Sequence, residues 1–110
     1  LEYLINLNKL NLDDNKIIII RPKSFDKLIS LKELYLKNNK IVIVCELFPV
    51  IENFQRLILS NNRLNNFSSE HLDFLIELNL NNNDFEIVES TMLTNLINLN
   101  YLNLGENQIY

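Results

Sequence analysis

Apolar residues recur along this chain in a fixed phrase, Leu-x-x-Leu-x-Leu-x-x-Asn-x-apolar, which is met five times. The copies run from Leu7 to Ile17, Leu31 to Ile41, Phe54 to Leu64, Leu75 to Phe85 and Leu99 to Ile109, with starts 24, 23, 21 and 24 residues apart. Both inner leucines are kept in every copy, as Leu10/Leu12, Leu34/Leu36, Leu57/Leu59, Leu78/Leu80 and Leu102/Leu104. The asparagine is kept too, at Asn15, Asn39, Asn62, Asn83 and Asn107. The Leu-x-Leu alternation has the period of a β-strand with one apolar face. A lone strand of this kind cannot bury that face. Stacking each copy on the next does so, because like residues then line up in columns inside a shared core.

The second half of each unit repeats as well. Ile20, Phe25 and Leu28 follow Ile17 at the same intervals at which Val88, Leu93 and Leu96 follow Phe85. The second unit is one residue shorter, with Val44, Leu47 or Phe48, and Ile51 in these places. The third is shorter still, leaving Phe67 and Leu72 to carry the apolar role. Leu1 and Leu4 occupy the places of Phe25 and Leu28. The expected division is therefore a partial repeat over 1–6, repeats over 7–30, 31–53, 54–74 and 75–98, and a partial repeat over 99–110. Both ends are expected to be uncapped, as in a fragment of a longer protein, since a solenoid needs polar terminal caps. The returning segments are too short for long helices. Ser24 to Leu28 and Ser90 to Leu96 are each expected to form one helical or 3₁₀ turn, with serine as a possible cap and Pro22 at the entry of the first.

Composition changes the picture at one point. There is one glycine and there are two prolines against twenty asparagines. The turns must therefore use asparagine, which tolerates left-handed backbone and bonds its own neighbours. The repeated Asn is expected to form a ladder inside the turn after each strand, its amide joined to backbone groups of adjacent coils. A buried polar group left unpaired there costs roughly 1–3 kcal/mol, so one residue type suits every rung.

With these columns in view, the chain resembles the leucine-rich repeat family over essentially its whole length. The 24-residue units, with Phe25 or Leu93 on the returning side, are similar to the "typical" subclass. The resemblance implies an α/β solenoid: a right-handed superhelix with a concave parallel β-sheet and short 3₁₀, helical or irregular convex segments. It further implies a module that binds a protein partner on its concave face, within a receptor ectodomain or a secreted recognition protein. The alternatives are an intracellular, cytoplasmic scaffold, for which the missing cysteine-rich caps speak, a matrix or adhesion role, and the regulatory module of an enzyme whose catalytic domain lies elsewhere.

Residues between the inward leucines should face the concave side. One column reads Lys9, Glu33, Arg56, Glu77, Tyr101 and the next Asn11, Tyr35, Ile58, Asn79, Asn103. A third reads Asp13, Lys37, Ser60, Asn81, Gly105, and the last Asp14, Asn38, Asn61, Asn82, Glu106. The alternating charges of the first column read either as a self-neutralising ladder or as specificity contacts. Tyr35 beside Ile58, flanked by Arg56 and Lys37, has the composition of a binding hot spot, although a plain cross-strand pair would look the same. The candidate partner contacts are thus Tyr35, Arg56 and Ile58, with Lys37 and Glu77 at the rim.

Other chemistry finds little support. A net charge of −4 argues against nucleic acid, whose phosphates call for clustered Lys and Arg. The longest apolar runs, Ile17 to Ile20 and Ile41 to Cys45, are far too short to span a bilayer. His71, with Glu70, Asp73, Ser68 and Ser69 nearby, reads as a solvated turn histidine, because a catalytic set is defined in space and not by crowding in sequence. Cys45 reads as a small buried hydrophobe. Asp13 and Asp14 lack the spaced oxygen ligands of a calcium loop, and a single glycine rules out a phosphate loop. No enzyme activity, cofactor or metal is expected. Asn66-Phe67-Ser68 matches the glycosylation acceptor pattern, a match that twenty asparagines and eight serines and threonines produce about once by chance.

Overall fold

The computed structural model describes residues 2–44 and 46–109; the expectations for Leu1 and Cys45 lie outside them. Each Leu-x-Leu phrase forms a short strand: β1 (Lys9–Asn11), β2 (Glu33–Tyr35), β4 (Arg56–Ile58), β6 (Glu77–Asn79) and β7 (Tyr101–Asn103). These strands make one parallel five-stranded sheet in the order β1-β2-β4-β6-β7. The register aligns like with like, so Leu10, Leu34, Leu57, Leu78 and Leu102 stand opposite one another in turn. Two further strands, β3 (Ile43–Val44) and β5 (Asn66–Phe67), pair in parallel on the returning side. The result is a parallel-strand solenoid of about four turns.

The core runs through the stack between sheet and returning segments. Leu34, Leu36, Leu57, Leu59, Leu78 and Leu80 are fully buried, joined by Ile41, Leu64 and Phe85 from beyond the asparagines. On the return, Phe25 stacks on Phe48 at 5.5 Å, and Phe48 meets Phe54 at 5.1 Å. Burial falls off towards the first and last coils. Leu4, Leu7, Leu10 and Leu12 are partly buried, and Leu102 and Ile109 are exposed at 37% and 41%.

The returning segments differ in how they turn. An initial 3₁₀ helix covers Glu2–Asn6. From Arg21 to Leu28 the backbone makes successive three-residue bonds, from Ser24 N–H to Arg21 O, Asp26 N–H to Lys23 O and Leu28 N–H to Phe25 O. Ser24 Oγ donates to Arg21 O at 2.5 Å, closing the turn that Pro22 enters. Ser90 does not cap: it is the first residue of the helix α1 (Ser90–Leu93), and the cap position belongs to Glu89, whose side chain makes no capping bond. Glu89 takes it because its backbone is extended (φ −81°, ψ 146°), the conformation a cap requires.

Two columns of left-handed backbone stand in for glycine. One follows the strands at Asp14, Asn38, Asn61, Asn82 and Glu106, and the other lies on the return at Lys23, Glu46 and His71. Asparagine and aspartate tolerate this region, whereas longer side chains cost about 1–2 kcal/mol there. Lys23→Asn and Glu46→Asn should therefore each raise stability by about 0.5–1 kcal/mol. A thermal melt checks this; a midpoint that stays put or drops in both variants would mean the backbone is not where the cost lies.

Candidate protein-binding face

The turn after each strand holds one asparagine of the ladder, buried at Asn39, Asn62 and Asn83. Asn62 is the central case. Its Nδ2 donates to Leu36 O, Leu59 O and Ser60 O at 2.9, 3.0 and 3.3 Å, and its Oδ1 accepts from Ile41 N–H at 3.0 Å. Asn39, Asn83 and Asn107 repeat the pattern, with Oδ1 accepting from Ile17, Leu64 and Phe85 respectively. Each amide thus joins its own strand to the preceding coil. Among the described residues Asn15 reaches only its own turn, donating to Leu12 O and Asp13 O.

A second amide column lies outside the first. Asn38 Nδ2 donates to Asp14 Oδ1 at 2.6 Å, Asn61 Nδ2 to Asn38 Oδ1 at 2.7 Å, and Asn82 Nδ2 to Asn61 Oδ1 at 2.8 Å. These are the fourth column expected on the concave side, and Asp14, Asn38 and Asn82 are exposed there. They are tied head to tail, with left-handed backbone at each position aiming the side chains along the stack. The third column is also less open than its pattern implies. Ser60 is buried, and Asp13 is occupied, its Oδ1 accepting from Lys37 N–H at 2.7 Å.

The open face proper is made by the first two columns, aligned by the sheet register. Lys9, Glu33, Arg56, Glu77 and Tyr101 stand side by side, as do Asn11, Tyr35, Ile58, Asn79 and Asn103. Arg56 is held from both sides: its Nη1 lies 3.0 Å from Glu33 Oε1 and its Nε 3.1 Å from Glu77 Oε1. The Tyr35 hydroxyl donates to the same Glu33 oxygen. That bond, with the Arg56 guanidinium and the Lys9 charge adding to it, holds the Glu33 carboxyl below its usual range. Lys9 Nζ sits 5.1 Å from the centre of the Tyr35 ring. Arg56 is exposed and its two carboxylate partners are only half-buried, so each ion pair stabilises the fold by about 1 kcal/mol or less. Their effect is to fix the Tyr35 ring.

In the middle column the asparagines turn inward on themselves. Asn11, Asn79 and Asn103 accept through Oδ1 from the N–H two residues on, at 2.9, 2.9 and 2.8 Å. Tyr35 and Ile58 have no such option and stand half-buried beside one another. Of the five candidate contacts, Tyr35, Arg56, Ile58 and Glu77 come together on three adjacent strands, and Lys37 lies exposed two residues beyond Tyr35.

The remaining candidates lie elsewhere. His71 is on the returning side; its Nδ1 is 3.1 Å from Phe48 O and its Nε2 3.6 Å from Glu70 Oε1. Ser69 is buried there, with Ser68 Oγ accepting from Glu70 N–H. Among the described residues no three His, Cys, Asp or Glu side chains gather as metal ligands would, and no helix is long and apolar enough to cross a membrane.

Two leucine-rich repeat family profiles match the chain, one over residues 1–41 and another over residues 30–54. No curated protein matches. Among solved structures, the leucine-rich repeat domain of APL1B superposes with a TM-score of 0.79 at 22% identity, covering 96% of this chain and 33% of that one. The ectodomain of the Arabidopsis thaliana membrane receptor kinase GASSHO1/SCHENGEN3, solved in complex with CASPARIAN STRIP INTEGRITY FACTOR 2, is 34% identical with a TM-score of 0.66. The match covers 94% of this chain and 13% of that one. A leucine-rich repeat protein of Leptospira interrogans is 30% identical with a TM-score of 0.58, covering 94% and 32%. The chain thus spans about a third or less of the length of each.

Proposed function

Since the chain belongs to the leucine-rich repeat family, we propose that it is a protein-recognition segment that receives its partner on the concave sheet, over Tyr35 and Ile58. The observation that carries this reading is the contrast within one column. Three coils cover that position with an asparagine folded back on its own turn, while the two adjacent central coils leave an aromatic ring and a branched aliphatic projecting. Large apolar bodies in a setting of polar and charged groups are how interface anchors are composed. Arg56 and Glu77 serve as a preset frame: already paired with each other, they lose little freedom when a partner docks. Lys37, exposed beside the patch, supplies a charge at the rim.

The setting that fits is a receptor ectodomain or a secreted recognition protein. Supporting it are the 24-residue spacing and the likeness to a plant receptor ectodomain that was itself solved with a bound partner. Photo-crosslinking tests the face directly. A benzoylphenylalanine placed at Tyr35 or Ile58 should capture a partner in extracts of the source tissue, while the same group at Lys27, exposed on the returning side, should not. With the captured partner purified, Tyr35→Ala and Ile58→Ala should each weaken binding by at least ~10-fold. Equal capture from Lys27, or unchanged affinity in both alanine variants, would remove the concave patch from consideration.

A further inference from the structure

The flank beside β3 and β5 carries an exposed aliphatic strip that neither the core nor the concave face explains. Ile18, Ile19, Val42, Ile43 and Ile87 are exposed at 54, 76, 40, 44 and 67%. Asn66 stands in their midst, paired in register with Ile43. Asn66 is also the first residue of Asn66-Phe67-Ser68, the acceptor pattern for N-linked sugar.

The strand geometry presents this acceptor outward. In β5, Phe67 turns into the core at 2% exposure, so the strand alternation directs Asn66 to solvent. Asn66 Oδ1 accepts from Phe67 N–H at 2.8 Å, whereas among the described residues its Nδ2 donates to nothing. Beside it opens a groove of about 570 Å³ lined by Asn65, Asp84, Glu86, Ile87, Glu89 and Met92. Its carboxylates can accept from sugar hydroxyls, and its Ile and Met can lie against the apolar face of a pyranose ring.

We propose that Asn66 is an N-glycosylation site whose first sugar occupies this groove and whose glycan covers the neighbouring aliphatic strip. In the step itself, Asn66 Nδ2 forms a bond to the anomeric carbon of a lipid-pyrophosphate-linked oligosaccharide. The carbon–oxygen bond to the pyrophosphate breaks, the pyrophosphate leaves with the electron pair, and the amide nitrogen gives up one proton. The inference rests on the extracellular reading above, because the donor is met only on the export route.

The test is to express the chain in a eukaryotic secretory host behind a heterologous signal sequence. This supplies export whatever the native location, so a failure of glycosylation is separate from a failure of the extracellular reading. Secreted protein should carry a mass increment that peptide-N-glycosidase removes, converting Asn66 to Asp. Asn66→Gln and Ser68→Ala should each abolish the increment, and Ser68→Thr should retain it. Folded, secreted protein lacking the increment would overturn the assignment, as would an increment that survives in both loss variants. Enzymatic trimming should also raise binding of a hydrophobic dye several-fold as Ile43 and Ile87 are uncovered. Unchanged dye binding would refute the covering role.

Discussion

Leu57→Ala should lower the stability of the array by about 3–5 kcal/mol, the upper part of the range for a fully buried leucine. Leu57 sits at the midpoint of the central leucine column, with Leu34 and Leu78 opposite it on the two neighbouring strands and all three at 0% exposure. In a solenoid each coil touches only its neighbours, so a cavity at the centre weakens two interfaces together. The same truncation at Leu102, 37% exposed on the last strand, should cost less than about 1.5 kcal/mol. Urea unfolding of both variants measures the contrast. Similar losses at the two sites would show that the core is not a stack of equivalent layers with a protected middle.

Asn62→Ala should cost about 1–3 kcal/mol, although it removes little apolar area. The lost Oδ1 leaves the Ile41 N–H without its partner in a buried turn, while Leu36 O and Leu59 O each keep one bond, from Asn39 and Asn83. The loss therefore centres on one stranded donor. Asn62→Asp should be worse at neutral pH. The carboxylate still accepts from Ile41, yet it faces three carbonyl oxygens with no proton to offer. Burial and these oxygens would raise its folded pKa above the unfolded value, so the deficit should shrink as pH falls towards that of the protonated acid. Denaturant midpoints across an acid-to-neutral series decide the matter. A deficit that does not change with pH would contradict the geometry of the rung.

The fold was legible because its physics is repeated. One leucine out of place is noise, whereas the same leucine five times over defines a column, and the sheet register then follows from stacking like on like. The buried asparagines were legible for the same reason. What the pattern hid was the direction of side chains. Asp14, Asn38, Asn61 and Asn82 are polar residues outside the apolar phrase, and nothing in their identity tells whether they face a partner or each other. That depends on the left-handed backbone at each position, a tertiary property of the turn. The Asx turns at Asn11, Asn79 and Asn103 were likewise invisible as such, yet they are what isolates Tyr35 and Ile58. The pair beside Arg56 was readable as a candidate from composition alone. That Arg56 is held by two carboxylates and Tyr35 by Glu33 and Lys9 required coordinates.

The outer amide column has a further consequence, for motion. Its bonds all run one way, each amide donating towards Asp14, so every rung polarises the next. The next residue in the column is Glu106, which has no proton to donate to Asn82, and the series stops between the fourth and fifth coils. The last coil is thus attached by its backbone bonds and its share of the inner ladder, without the outer clasp. In native-state hydrogen exchange the amides that hold it, Leu80 and Asn82 among them, should open at lower free energy than Leu36 and Asn38. The joint between the fourth and fifth coils would then part more readily than the joints on either side of the Tyr35 coil, which the outer column clasps from both sides.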